Sequence, residues 1–404
     1  SVSTGALNAH APYVSTATLY NKVYFTDGLT YKVYDPELDT VEELSSAKSG
    51  KIPQRARLMA AWRGRLVLAR TADDSHNWYM SAIGEPDNWD LFPPVLKATQ
   101  AVAGNAAPAG KSQDIINALA PINDDLLVIG GDRTISRLTG DPMLGGQIDL
   151  VSDSTGMGFG ASWCKDPLGN LYFFGTEGGV YTMPPNGVPQ KISSTSIDRK
   201  LRNIDTSVRR IELVWNAYDN GIHLFQMPYG GAGGIVEFYF WEASTNSWWQ
   251  DEVASSDVMP TAATVYDGFD SNDKRVLLGG NDGYLRVWDQ DAVNDDGHAV
   301  RSNVLIGPVG AQELETEVRI TRFMATLASE QNGISYQLYV GDNPEDKNLV
   351  STGGLTSGAN GFSTLRARGN NVWIRLKNNA LNERWAMEKM SFVAYPAGRR
   401  RVRS

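Results

Sequence analysis

The chain is poor in the side chains that most often do chemistry. In 404 residues it has one cysteine, Cys164, and four histidines, His10, His76, His223 and His298. A single thiol cannot close an internal disulfide, so stability has to come from packing and strand pairing. Cys164 follows Trp163 in a strand-like stretch with no histidine near it in sequence, which suits a small apolar residue better than a nucleophile. The histidines show no HxH, HExxH or HxxxH spacing, and without paired imidazoles or thiolates no zinc site is expected. There is no GxSxG elbow, no Walker loop and no GxGxxG after a strand. Gly156-Met157-Gly158-Phe159-Gly160 imitates a glycine-rich loop, but no P-loop lysine follows, and it reads as a turn between repeats. No catalytic, cofactor-binding or metal-binding residue is therefore assigned.

Other absences narrow the class further. No run of about 18 apolar residues exists, so no membrane insertion is expected. The start, Ser1-Val2-Ser3-Thr4, lacks the basic and apolar regions of a signal peptide, which points to a soluble protein made in a cytoplasm. Basic residues are outnumbered, 37 Lys and Arg against 46 Asp and Glu, and the net charge of −9 argues against a surface that grips nucleic acid by neutralising phosphates. Helical periodicity is nearly missing; residues 195–203, after Ser193-Ser194, are the best short helix.

What the chain does have is strands and turns, with 40 glycines and 18 prolines to make the turns. Six times a short apolar run is followed by a Gly or Asp turn and a second strand. The runs are Val23-Tyr24-Phe25, Leu66-Val67-Leu68, Leu126-Leu127-Val128, Leu171-Tyr172-Phe173-Phe174, Ile222-His223-Leu224-Phe225 and Val276-Leu277-Leu278. Their starts are spaced by roughly 43 to 60 residues, the period of radial arrays of small antiparallel sheets. Several units carry a further shared element, a strand following the turn, as in Gly28-Leu29-Thr30-Tyr31-Lys32-Val33-Tyr34, Gly178-Gly179-Val180-Tyr181-Thr182-Met183, Gly283-Tyr284-Leu285-Arg286-Val287-Trp288 and the variant Phe238-Tyr239-Phe240-Trp241. The glycine permits positive φ at a hairpin, and alternation buries one face against the neighbouring repeat.

Between Ile306 and Thr316 the pattern changes. The expected organisation is an all-β chain, with a six-bladed β-propeller-like domain over residues 1–306 and a small antiparallel β-sandwich with a basic tail over 307–404. Residues 97–110 are Ala, Gly, Gln and Asn with almost no large apolar side chain, so they are expected to form a poorly packed loop inserted between the second and third repeats.

Acidic pairs are the remaining route to chemistry. A glycosidase or lyase acting on host surface polysaccharide would need carboxylates flanking one bond. Asp73-Asp74, Asp124-Asp125 and Asp295-Asp296 all sit in turn-like contexts, where adjacent side chains point apart. Asp267-Gly268-Phe269-Asp270-Ser271-Asn272-Asp273 and residues 291–297 gather hard oxygens of the kind calcium takes, but neither has EF-hand spacing, and both suit capped hairpin turns. A single Val287-Trp288-Asp289 resembles the strand end of a WD-type interaction platform, where a true array would repeat it. The one dense basic cluster is Arg399-Arg400-Arg401-Val402-Arg403, which suits an acidic surface on a neighbouring subunit or solvent better than nucleic acid.

Local phrases carry a resemblance. Trp62-Arg63-Gly64-Arg65-Leu66-Val67-Leu68 with Asn77-Trp78-Tyr79-Met80-Ser81-Ala82-Ile83-Gly84-Glu85-Pro86-Asp87-Asn88-Trp89-Asp90, the segment 166–181 with its Gly169-Asn170-Leu171-Tyr172-Phe173-Phe174, and the ending through Arg384-Trp385-Ala386-Met387-Glu388 to Pro396-Ala397-Gly398-Arg399-Arg400 are similar to phrases in tail proteins of bacteriophages. The chain resembles the tail nozzle, or tubular tail, proteins of short-tailed phages. That resemblance implies a virion structural protein, assembled in the host bacterial cytoplasm, with six copies ringed around the DNA exit channel. It also implies docking to adaptor and fibre proteins, passage of DNA without specific binding, no cofactor and no enzymatic activity. Acidic lumen residues would then repel the passing polyanion. Trp248, Trp249 and Tyr229, the last beside the Gly-rich turn 230–234, together with Arg399, Arg400 and Arg401, are the candidate intersubunit contacts. Alternation sends one of the two tryptophans inward.

Overall fold

A computed structural model describes residues 7, 11, 13–44, 48–193, 197–229, 237–270, 273–310, 316–328, 333–341, 346–362, 365 and 367–399. The chain forms two compact units, one of residues 1–251 and 260–288, the other of 252–259 and 289–404. The division at Trp288 precedes the expected change near Ile306. The reason is pairing: Ser302–Gly310 is antiparallel to Asn371–Asn378, so this strand belongs to a sheet of the second unit.

The first unit is all-β apart from the short helix Asp198–Arg202, inside the stretch read as helical. Among the described residues it contains five four-stranded antiparallel sheets and a three-stranded sixth, each with its strands side by side in chain order, besides a short parallel pair, Ser49–Gly50 with Asn88–Trp89. Sheet one is Ser15–Leu19, Lys22–Thr26, Tyr31–Asp35 and Thr40–Glu43; sheet two is Leu58–Trp62, Arg65–Ala69, Trp78–Met80 and Val102–Ala103. Sheet three is Ile116–Asn123, Leu126–Gly131, Ile135–Thr139 and Gln147–Ser152; sheet four is Trp163–Lys165, Leu171–Phe174, Val180–Met183 and Gln190–Lys191. Sheet five is Arg209–Asn216, Gly221–Pro228, Glu237–Glu242 and Ser247–Glu252, and sheet six is Pro260–Asp267, Lys274–Gly280 and Leu285–Val287. The first strand of each sheet packs against the first strand of the next, from sheet one through sheet six.

Every apolar run read from the sequence is the second strand of its sheet. In sheets two to five these strands are buried continuously rather than alternately because both faces are covered, one by the preceding sheet and one by the following sheet. With a side-chain period of two, Leu66 and Leu68 join a core with Tyr24 and Ala17 of sheet one, whereas Val67 joins a core with Ile116 and Leu127 of sheet three. Sheet four repeats the arrangement: Leu171 and Phe173 pack with Val128 and Ile135, and Tyr172 and Phe174 with Leu213 and Leu224 of sheet five. Cys164 is buried in that last core.

Residues 97–110 do not form the poorly packed insertion expected. Gln100, Ala101, Val102, Ala103 and Gly104 are buried, and Val102–Ala103 is the fourth strand of sheet two, paired with Tyr79 and Met80. Small side chains are an advantage at this position. A Cβ on Gly104 would come within 2.8 Å of the Trp78 indole nitrogen, and the same nitrogen donates to the Gly110 carbonyl at 3.1 Å. Arg65, with a fully buried side chain, donates to the carbonyls of Ser81 and Gln100, and to that of Ala98 at 3.1 Å. Polar anchoring replaces the apolar anchoring that the composition fails to supply.

The second unit has a hairpin, Asn294–Asp295 with His298–Ala299, and two antiparallel sheets. One has the order Ser302–Gly310, Asn371–Asn378, Ile334–Gly341, Lys347–Leu355. In the other, Thr316–Leu327 pairs with Gly358–Phe362, Ala367–Gly369 and the long strand Met387–Arg399. Ile320 and Phe323 from one sheet and Leu338, Ile374 and Leu376 from the other share one core.

Candidate functional site

In an antiparallel meander the start of the first strand and the end of the second lie at the same end of the sheet. Sheets two to five place residues from these positions around a common cavity of about 240 Å³ in the first unit. Arg70 follows the second strand of sheet two, Asp132 that of sheet three, Gly175 and Thr176 that of sheet four, and Tyr229 that of sheet five. Asn117, Arg209 and Arg210 come from the starts of first strands. Phe159, in the connection that imitates a glycine-rich loop, completes the lining.

The Arg70 backbone has φ +55°, left-handed for a residue with a long side chain, a conformation that costs about 1–2 kcal/mol. Its guanidinium lies 4.7 Å from the centre of the Phe159 ring and donates to the Asn117 side-chain oxygen and, at 3.3 Å, to the Ile116 carbonyl. Asn117 is buried, and its amide donates to the Met157 carbonyl at 3.1 Å, which fixes its oxygen towards Arg70. Arg209 donates to the Gln226 side-chain oxygen at 3.0 Å, and Gln226 is held in turn through its amide, 2.8 Å from the Glu237 carbonyl. Arg210 differs from both. It pairs with the buried Glu212 at 2.8 Å, donates to the Thr261 carbonyl at 2.6 Å and lies over the Tyr13 ring at 5.4 Å.

The electrostatics follow from this geometry. Burial, reinforced by the nearby Arg57 charge, lowers the Arg70 pKa, and the attraction of Asp132 opposes the change. Burial raises the pKa of the Glu212 carboxyl against the pull of Arg210, and it pushes Tyr13 up to about 12. The Tyr229 hydroxyl is raised by burial too, with Arg210 and Arg70 acting the other way. Neither Arg70 nor Arg209 forms an ion pair among the described residues.

The residues singled out from sequence separate. Trp248 packs half-buried against the core between sheets four and five and donates to the Ile192 carbonyl at 3.4 Å, whereas Trp249 is 54% exposed. Tyr229 is half-buried in the cavity lining rather than presented as an exposed anchor. Arg399 ends the long strand opposite Thr316; Arg400, Arg401 and the turn 230–234 lie outside the described residues. The acid pairs serve turns and surface pairs: Asp74 with Lys111, Asp125 with Arg63 at 2.7 Å, and Asp295 accepting the Ala254 amide at 2.9 Å. Among the described residues no group of three His, Cys, Asp or Glu side chains is placed to hold a metal ion. The cavity was invisible in the sequence, because its lining is scattered over residues 70–229 and no spacing links the parts.

No protein-family model and no curated protein matches the chain. Among solved structures, it is similar to BBS1N crystallised in complex with ARL6DN, at 14% identity and TM-score 0.45, over 93% of this chain and 94% of that one. The Dos1 propeller is 14% identical, with TM-score 0.42, over 70% of each chain. The extracellular domain of a putative one component system, BT4673, from B. thetaiotaomicron is 12% identical, with TM-score 0.43. That match covers 95% of this chain and 50% of the other.

Proposed function

We propose that this chain is a virion structural protein of a short-tailed phage tail. In this reading the first unit is a six-bladed β-propeller, the second an antiparallel β-sandwich, and several copies form a ring around the DNA exit channel. Adaptor and fibre proteins dock on the ring, and DNA passes without specific binding. The tail assignment rests on the sequence phrases. Six successive small sheets followed by a separate β unit suit a stiff assembly part.

The observation that carries the oligomeric reading is the sixth sheet. Its third strand, Leu285–Val287, is an edge among the described residues, where the other five sheets continue into a fourth. Large apolar side chains stand in solvent at it: Leu285 is 76% exposed and the preceding Tyr284 69%, with Val287 also exposed; Val265 and Tyr266 on the first strand of the sheet, and Phe269 after it, are exposed too. An open edge combined with an apolar face is a template for another strand. A second copy of this chain is the occupant proposed, because a ring requires one heterologous contact repeated between identical subunits.

Native mass spectrometry at micromolar concentration tests this. The wild type is expected to give closed oligomers, and Leu285→Asp with Val287→Asp to give monomers with an unchanged far-ultraviolet circular dichroism spectrum. A wild type that stays strictly monomeric with tail partners added would overturn the proposal.

A further inference from the structure

The cavity of sheets two to five has an unbalanced charge. Three guanidiniums, those of Arg70, Arg209 and Arg210, line it against one carboxylate, Asp132. Glu212 stands behind this lining and is engaged by Arg210 at 2.8 Å. The imbalance arises in a chain whose acidic residues outnumber its basic ones, 46 to 37. A long basic side chain in such a chain has many carboxylates to choose from, and half-buried guanidiniums ordinarily take one. The hydrogen bonds of Arg70 and Arg209 instead go to neutral oxygens, those of the Asn117 and Gln226 side-chain amides and the Ile116 carbonyl, while Asp132 attracts Arg70 and Asp205 attracts Arg209 without forming an ion pair. Neutral acceptors orient a guanidinium without cancelling its charge. Each uses only one terminal nitrogen, Nη1, in these bonds.

We propose that this cavity is a binding site for a small oxyanion, a phosphate or a carboxylate group, held between Arg70 and Arg209. The chemistry matches: planar guanidiniums with donors to spare bind such oxygens in fork geometry. The Tyr229 hydroxyl in the same lining supplies a neutral donor; the Ser162 and Thr176 hydroxyls are already donated to the Gly158 and Asp132 carbonyls, each at 2.7 Å. The space of about 240 Å³ fits a small molecule and excludes a macromolecular strand. The lowering of the Arg70 pKa has the same origin, since burial and Arg57 act there against Asp132 and Tyr229. An added anion relieves that repulsion. This site is independent of the assembly reading, because it lies within one unit and involves none of the exposed residues of sheet six.

Isothermal titration calorimetry of the full chain with inorganic phosphate, and separately with succinate, distinguishes the two sources of the oxyanion. One of the two is expected to bind saturably at a single site. Arg70→Gln and Arg209→Gln should each weaken that binding at least about tenfold, whereas Arg133→Gln, an exposed arginine that loses the same charge, should leave it unchanged. Should Arg70→Gln fail to fold, Arg209→Gln and Tyr229→Phe carry the test. Absence of saturable binding by either probe up to about 10 mM, or equal weakening by Arg133→Gln, overturns the proposal.

Discussion

His223 sets up a pH dependence that can be worked through from its surroundings. It lies in the second strand of sheet five, 3% exposed, with ring centres of Phe240 at 4.6 Å, Trp288 at 4.7 Å and Phe225 at 5.6 Å. Among the described residues its close polar partner is the Asn216 side-chain nitrogen, 3.1 Å from Nε2, and that nitrogen also donates to Asp219 at 2.7 Å. An amide nitrogen can only donate, so Nε2 accepts and the imidazole is neutral. Burial pushes its pKa from the ordinary 6.5 down to about 3. A base whose pKa is depressed by folding binds more protons when unfolded, so its contribution to stability is complete above about pH 6.5 and is lost as pH falls towards 3. Linkage between these two values gives a loss of about 2 kcal/mol between pH 8 and pH 5. Urea unfolding at both values, for the wild type and His223→Phe, isolates the contribution because other titrating groups cancel in the difference. The substituted phenylalanine lowers stability by a constant amount through the lost Asn216–His223 hydrogen bond, but the variant's pH 8 to pH 5 change should be smaller than that of the wild type by about 2 kcal/mol. Identical pH dependence in the two proteins would refute the reasoning.

Two further outcomes follow from the same kind of argument. Arg65→Met leaves three carbonyls without their donor and the buried Asp141 with Arg63 alone, at 4.0 Å; the expected destabilisation is about 3 kcal/mol, with faster amide hydrogen exchange across residues 97–104, and unchanged exchange there would show that Arg65 does not pin the segment. Cys164 is buried and its thiol pKa is raised, first by burial and then by the Asp166 charge, so labelling by iodoacetamide at pH 8 should track unfolding in urea; fast labelling of the native protein would contradict the packing described.

The sequence was most informative where burial is two-sided. Leu66-Val67-Leu68 and Leu171-Tyr172-Phe173-Phe174 read as strands because continuous apolar runs of that length, bounded by turns, have few other uses. All six runs are second strands. Residues 97–110 escape that reading for a related reason. Composition measures how much apolar area a segment brings, and Val102-Ala103 brings little. It is held by Arg65 and Trp78, whose contributions are legible only in three dimensions. The domain boundary falls earlier than the sequence pattern suggests because Ser302–Gly310 is strand-like wherever it belongs; only its partner, Asn371–Asn378, assigns it to the second unit.

By itself, then, the chain determined an all-β protein of repeated small sheets, since strand length, alternation and turn residues are local properties that each segment carries alone. The same alternation sends one of Trp248 and Trp249 inward; that it is Trp248 is seen only in the packing between sheets four and five. The tertiary structure alone decided which ends of the strands meet. Arg70, Asn117, Arg209 and Tyr229 are brought to one cavity by the stacking of four sheets, and a charge imbalance of that kind exists only between residues far apart in sequence.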